Sequence, residues 1–265
     1  MKNHFDKFKI RKVIQLASLG ISVSLFVLLI QGTLATAHEY CPYASVCFGV
    51  WKIGAKFAPF LFPAAVIVGA AIAFSSLFFG RWFCGYVCPI GTIQELIYST
   101  KKSKKKFDQL IPYKIHKVMI FFKYIIFLFT AITAFFGAQY LYMKFCPVLA
   151  IAHIQNITIA GIVVLAIIIF LGYFVERFWC RYLCPYAALM NIFQKIADII
   201  GIKRYKIFRN IHTSINCFNC LNYCPMNIDI GYNEKISDIN CIKCLSCVRQ
   251  CSKSDIEKSK CIYRD

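Results

Sequence analysis

Four long apolar stretches, separated by polar and charged segments, dominate the hydrophobic pattern of the first two thirds of the chain. They cover residues 13–36, 57–80, 118–137 and 157–175, and Lys123 is the one charged residue within them. A helix needs about 20 such residues to cross the ~30 Å hydrocarbon core of a bilayer. The pattern therefore predicts four transmembrane helices, and Lys123 is expected to extend its amino group to the membrane surface.

The distribution of basic residues predicts how these helices are oriented. With 59% apolar residues and a mean hydropathy of +0.59, the chain is too apolar for an ordinary globular protein. Its net charge of +19 could indicate nucleic acid, but 27 of the 31 Lys and Arg residues precede the first span, separate the second from the third, or follow the fourth. This positive-inside pattern predicts a multi-pass protein of the cell membrane with both termini in the cytoplasm. Lipid, and not nucleic acid, is the expected partner of the basic segments.

The sequence contains an internal repeat. Residues 81–89 (RWFCGYVCP) recur 96 residues later as residues 177–185 (RFWCRYLCP), and each copy follows two apolar stretches. Both units begin on the same side of the membrane, which predicts parallel repeats related by an axis along the membrane normal. Residues 1–202 form the predicted membrane domain, and residues 186–202 within it are expected to form an amphipathic helix at the cytoplasmic interface.

Each repeat ends in an inner C-x3-C-P motif, which contains Cys84 and Cys88 in the first copy and Cys180 and Cys184 in the second. Proline favours a helix that begins directly after the second cysteine. Cys88 and Cys184 are therefore expected at helix N-termini, where the helix dipole favours the thiolate. Repeat symmetry predicts that the four cysteines form one redox or metal site, and the alternative is that they are small buried thiols at helix ends.

Three further cysteines, Cys41, Cys47 and Cys146, lie in the two loops predicted on the opposite side of the membrane. Packing, a disulfide in an oxidising exterior and metal binding with a nearby histidine are all open. The short loops favour packing or a disulfide.

Residues 203–265 are polar, rich in cysteine and too poor in apolar residues to fold without a metal or a similar crosslink. They predict a small cytoplasmic domain. They contain a full C-x2-C-x2-C-x3-C run with Cys241, Cys244, Cys247 and Cys251. An incomplete run precedes it, with Cys217, Cys220 and Cys224.

In two-cluster ferredoxins the fourth cysteine of each run binds the cluster of the other run. Cys241, Cys244, Cys247 and Cys224 therefore form a complete ligand set for one 4Fe-4S cluster. A zinc ribbon is the alternative, but it uses only four cysteines and leaves the others at ferredoxin spacing without a role.

The second predicted cluster would use Cys217, Cys220, Cys251 and position 214, which is serine. A serine alkoxide is a harder ligand than a thiolate and binds such clusters less readily. A labile or 3Fe-4S cluster is expected first, replacement of the ligand by Cys261 second, and ligation by Ser214 third. The predicted fold is mainly α: a four-helix transmembrane bundle of two parallel repeats with a small two-cluster ferredoxin-like (α+β) domain.

The repeated Arg-aromatic-aromatic-Cys-x3-Cys-Pro motif, followed by a ferredoxin-like tail, resembles the membrane polyferredoxin family. That family includes the quinol-dehydrogenase membrane subunit of periplasmic nitrate reductase, although Ser214 departs from its pattern. The resemblance implies an electron-transfer subunit of an oxidoreductase system, which relays electrons between a quinol pool or a cytoplasmic carrier and a redox partner protein. It implies 4Fe-4S clusters, and quinone as a further cofactor. Alternatives are a membrane reductase acting on a metal ion or a thiol at the inner cysteines, and a redox sensor or assembly factor.

Overall fold

The computed structural model describes residues 2–30, 42–48, 64–100, 113–138, 140–152, 159–202, 207–208, 224–228 and 235–247. Within these ranges the protein is mainly helical, with one two-stranded sheet and one π-helical turn at Trp179–Leu183. The helices are α1 (Lys2–Ile30), α2 (Ala44–Cys47), α3 (Ala64–Phe79), α4 (Trp82–Tyr86), α5 (Pro89–Ser99), α6 (Tyr113–Phe135), α7 (Tyr140–Met143), α8 (Pro147–Ala152), α9 (Ile159–Phe174) and α10 (Pro185–Ile200). The strands β1 (Ile207–Phe208) and β2 (Lys235–Ile236) pair antiparallel.

One helix in the described part, at Lys114–Phe135, has the length and the apolar composition needed to cross a membrane. Two shorter apolar helices, Val66–Phe79 and Ile159–Phe174, lie within the second and fourth predicted spans. Helix α1 covers most of the first predicted span. The helices thus form where the pattern predicts them, and the four-span bundle stays a prediction.

The last helix of each repeat packs against a helix of the other repeat. Helix α10 of the second repeat packs against α3 of the first, and α5 of the first packs against α9 of the second. Ser76 Oγ donates to the carbonyl of Met190 at 3.3 Å. At the positions 96 residues away, Gly172 faces Gln94. This exchange of equivalent contacts is what two repeats related by a pseudo-twofold axis produce.

Helix α10 lies inside this bundle and not flat at its edge. Tyr186 Oη donates to the carbonyl of Gly69 at 2.8 Å near one end of the contact, and Gln194 lies beside Gly80 at the other. Residue numbers increase in the same direction along both helices at these contacts, so α10 runs parallel to α3. Small and polar residues face inward, whereas Ile199 is 77% exposed. Small and polar contact faces are typical of helices that pack within membranes. The predicted amphipathic helix is thus confirmed as Pro185–Ile200, and its location at the cytoplasmic interface stays a prediction.

Lys123 is wholly buried and does not extend to the membrane surface. Its Nζ donates to Asn240 Oδ1 of the tail at 2.5 Å. The predicted snorkelling is therefore wrong, because this lysine joins α6 to the tail.

The tail docks on both repeats, against the inner motif of the first and against α10 and Lys123 of the second. The carbonyl of Ile242 occupies the space that a side chain on Gly85 would need. Tyr86 Oη donates to the carbonyl of Lys243 at 3.3 Å, and Gln194 Nε2 donates to that of Ile239 at 3.1 Å. The described tail contains two two-residue strands and a half-turn of helix, and the two-cluster ferredoxin-like fold stays a prediction.

Candidate functional site

Four tail cysteines, brought together from two separate segments, line one pocket. They are Cys224, Cys241, Cys244 and Cys247, the set that ferredoxin spacing predicts for one complete cluster. The other lining residues are apolar: Met226, Ile228, Ile236, Ile242 and Leu245. Four thiols around an apolar pocket fit the ligand requirement of a 4Fe-4S cluster.

The backbone around these cysteines takes up an unusual conformation. Lys243, Leu245 and Asn227 have φ values of +54°, +62° and +49°. Residues other than glycine rarely adopt this left-handed region, and such residues collect at functional sites. Lys243 and Leu245 flank Cys244, so the chain turns sharply where successive cysteines line the pocket.

Within the described residues, no three His, Cys, Asp or Glu side chains converge closely enough to bind a single metal ion. A single zinc ion needs ligands converging at about 2.0–2.3 Å, whereas a 4Fe-4S cluster carries one thiolate on each of four separate irons. The zinc-ribbon alternative uses Cys217 and Cys220, which lie outside the described residues.

The inner motifs of the two repeats lie against each other through crossing arginines. Arg81 Nη2 donates to the carbonyl of Cys180 at 3.0 Å, and Arg177, its equivalent 96 residues later, donates to the carbonyl of Cys84. Both arginines are wholly buried. Each repeat thus holds the first inner cysteine of the other, which brings the two cysteine pairs together as repeat symmetry predicts.

The two crossing arginines differ in how their charges are balanced. Arg177 Nη2 forms an ion pair with Glu95 at 2.6 Å. Arg81 has no acidic side chain within ion-pair distance among the described residues, and its Nε and Nη1 have no hydrogen-bond partner there. A buried charge without a counter-charge is strongly destabilising. The inner site therefore suits an anionic group, and an iron-sulfur cluster with four thiolate ligands is such a group.

Cys88 and Cys184 lie at the N-termini of α5 and α10, each directly before the proline that begins the helix, as predicted. Burial nevertheless raises the pKa of Cys88 to about 11 and that of Cys184 to about 12. Backbone N–H groups of the helix ends act in the opposite direction but are outweighed. The predicted shift toward thiolate is therefore wrong for the protein alone, and metal binding would have to displace these protons.

Several predicted site residues lie outside the described residues: Cys41, Ser214, Cys217, Cys220, Cys251 and Cys261. The second tail cluster, its fourth ligand and the zinc-ribbon alternative thus stay predictions. Sequence reasoning also missed the crossing arginines, because it counted them only as signals of membrane orientation. The signal was present, since arginine begins both copies of the repeated motif.

Comparison with known proteins agrees with this duplicated architecture. The family model described as a 4Fe-4S binding domain matches twice, at residues 60–108 and 157–203, and each match contains one inner C-x3-C-P motif. Two uncharacterized proteins of Methanocaldococcus jannaschii are 28% and 31% identical to the chain over 69% and 73% of its length, covering 74% and 69% of their own. YccM of Escherichia coli K12, provisionally named for electron transport, is 28% identical over 73% of this chain and 55% of its own. No solved structure gives a significant match.

Proposed function

Because the chain belongs to the membrane polyferredoxin family of 4Fe-4S binding electron transport proteins, we propose that it relays electrons through two adjoining cysteine sites. The tail site consists of Cys224, Cys241, Cys244 and Cys247. The inner site consists of the four C-x3-C-P cysteines: Cys84, Cys88, Cys180 and Cys184. A 4Fe-4S cluster, when bound, takes up and releases one electron at a time.

The observation that carries this proposal is the direct docking of one site on the other. Ile242, between two tail cysteines, contacts Gly85, which directly follows Cys84. Tyr86 and Lys243 add a hydrogen bond at the same junction. The backbone that shapes the tail pocket therefore lies against the backbone of the first inner motif, which is the arrangement that a relay needs.

The surface of the helices supports a membrane location. Helix α6 exposes many large apolar side chains, and such a surface is unfavourable in water; it includes Phe121, Phe122, Ile125, Leu128, Phe129 and Ile132. The proposed architecture is a four-helix transmembrane bundle with residues 203–265 and both termini in the cytoplasm. A second tail centre, quinone binding, and a quinol pool or cytoplasmic carrier as the electron source belong to the same proposal.

The alternative of a reductase acting at the inner thiols is less well supported. Cys84 is 6% exposed and Cys180 is 3% exposed. A thiol or metal-ion substrate would have little access to them, whereas an electron can reach a buried site.

The proposal is tested by the iron and acid-labile sulfide content of the purified protein and by its electron paramagnetic resonance spectrum. Cys241→Ala should remove the tail signal and leave the inner one, and Cys184→Ala should do the reverse. Cys146→Ser is the matched control, because Cys146 is a buried cysteine outside both sites, and it should retain both signals. A colourless protein with stoichiometric zinc would overturn the proposal. Reduction of the signals by a quinol, compared with reduction by a ferredoxin, would identify the electron source.

A further inference from the structure

Two Tyr-x3-Cys segments, whose cysteines belong to neither cysteine site of the proposed relay, meet in the membrane domain beside the inner site. They are Tyr43 to Cys47 and Tyr142 to Cys146, and their tyrosine rings make an edge contact with centroids 5.8 Å apart. The amide of Cys47 donates to the carbonyl of Tyr43 at 3.2 Å, which closes one helical turn. Cys47 and Cys146 lie in the same buried cluster as the two tyrosines, close enough for Cys146 to act electrostatically on Cys47. Both cysteines are buried, at 6% and 7% exposure.

The first of these segments enters the helix bundle because of one glycine. The carbonyl of Pro42 occupies the space that a side chain on Gly69 would need. Tyr43 Oη forms a hydrogen bond with Thr130 Oγ1 of α6. The loop predicted outside the membrane is therefore packed against the middle of α3 and against α6.

A continuous aromatic path joins this region to the inner cysteines. The Tyr43 ring meets that of Tyr186 with centroids 6.4 Å apart, and Tyr186 meets Phe83 at the same separation. Tyr186 follows Cys184 by two residues, and Phe83 directly precedes Cys84. The path thus ends beside one inner cysteine of each repeat.

We propose that Cys47 and Cys146 form a redox-active dithiol that exchanges electrons with the inner site along this aromatic path. Oxidation breaks two S–H bonds and forms one S–S bond; two protons go to water, and two electrons pass singly to iron-sulfur acceptors. Reduction reverses each step. The proposal rests on the proposed function for its electron acceptor, but not for the existence of the couple.

Burial supports the coupling of protons to this reaction. It raises the pKa of Cys47 to about 12, and the neighbouring Cys146 adds to the effect. Cys47 therefore carries its proton at neutral pH and must release it when the disulfide forms. The pair would store two electrons and two protons, which suits a partner that reacts in two-electron steps, such as a disulfide or a quinone.

The couple is tested on the purified full-length protein, equilibrated in dithiothreitol buffers of graded potential, quenched with acid and alkylated. Mass spectrometry of the peptides containing residues 47 and 146 should show both labels changing together as one two-electron transition. In Cys47→Ser the thiol of Cys146 should stay labelled at every potential, and Cys146→Ser should give the reciprocal result. Full labelling of both peptides at all potentials would overturn the proposal. A soft metal ion that copurifies with the protein and is lost in either variant would also overturn it.

The path is tested separately by the rate at which the disulfide opens after the protein is reduced with dithionite, a one-electron reductant. Tyr186→Leu should slow this opening at least tenfold and leave the dithiothreitol midpoint unchanged, and an unchanged rate would overturn the path. Iron content measured on the same samples distinguishes the two proposals. An iron-free protein whose cysteine pair still titrates would overturn the proposed function and support the dithiol.

Discussion

The two inner motifs share one backbone plan but differ in how their charges are balanced. In the first repeat, Glu95 accepts hydrogen bonds from Arg11 at 2.7 Å, Lys12 at 2.6 Å and Arg177 at 2.6 Å. The position 96 residues later is Asn191, which is neutral. Glu95 of the first repeat thus neutralises Arg177, the arginine that reaches it from the second repeat.

The second repeat has the equivalent arginine-to-carbonyl hydrogen bond, from Arg81 to Cys180, but Asn191 takes the place of a carboxylate. The Asn191 amide lies 2.9 Å from Lys123 Nζ and 3.0 Å from the hydroxyl of Tyr124. Arg81, which crosses from the first repeat, therefore has no acidic partner among the described residues. The two repeats thus share their cysteine-bearing turns, but Arg177 has a carboxylate partner and Arg81 has none among the described residues.

The greatest loss of stability is expected when the Glu95 carboxylate is removed. Glu95→Gln should lower the free energy of unfolding by about 3–5 kcal/mol, because it leaves Arg177 and Arg11 buried without a counter-charge. Thermal unfolding in detergent measures the change. Gln94→Met, which copies the second repeat at the neighbouring buried position, is the control and should cost much less. A loss below about 1 kcal/mol in Glu95→Gln would show that the two halves do not differ as described.

The next effect concerns which of the two inner motifs the tail lies against. The first repeat has Gly85 where the second has Arg181, and only a glycine admits the carbonyl of Ile242. Gly85→Ala should displace the tail and accelerate its proteolysis at least tenfold, with the inner iron retained. Gly20→Ala is the matched control, since its new methyl group meets no atom within 4 Å. Equal proteolysis of the two variants would contradict the docking.

The stability of the protein should depend on pH through the ionisation of Glu95. Burial alone would raise the pKa of Glu95, but Arg177 and Arg11 outweigh it and hold that pKa well below its usual value. A depressed folded-state pKa means that this stability is present above the unfolded value of about 4.3 and is lost as the pH falls toward the folded value. The loss should approach about 1.4 kcal/mol for each pH unit between the unfolded value of about 4.3 and the lower folded value. Melting curves from pH 6 to pH 3 should show this component in the native protein and not in Glu95→Gln.

The smallest expected effect is on redox potential. Asn191→Asp places a carboxylate beside Lys123 and should change stability by about 1 kcal/mol or less, because a nearby cation compensates for it. The added negative charge should lower the reduction potential of the inner cluster, whereas Glu95→Gln should raise it. Potentiometric titration of the inner signal measures both variants. Shifts of the same sign would refute an electrostatic origin.

Local features of this protein can be predicted from its sequence alone. The prolines after Cys88 and Cys184 begin α5 and α10, because proline fits the first turn of a helix. Ferredoxin spacing selected the four tail cysteines that line one pocket, since the ligand set of a cluster is encoded in short cysteine intervals. The apolar stretches and the repeat likewise predicted the positions of the helices and the adjacency of the inner motifs.

Which surfaces meet, in contrast, became clear only from the folded structure. Hydropathy places Arg81 and Lys123 at the membrane surface, yet both are buried, because the partners that accept their hydrogen bonds are about 100 residues or more away in sequence. The inward path of Pro42 depends on the absence of a side chain at Gly69, and the docking of the tail depends on Gly85. A sequence pattern reports what one segment prefers, whereas these contacts depend on the fit between two distant segments, so the relay junction and the buried thiol pair became visible only in the folded chain.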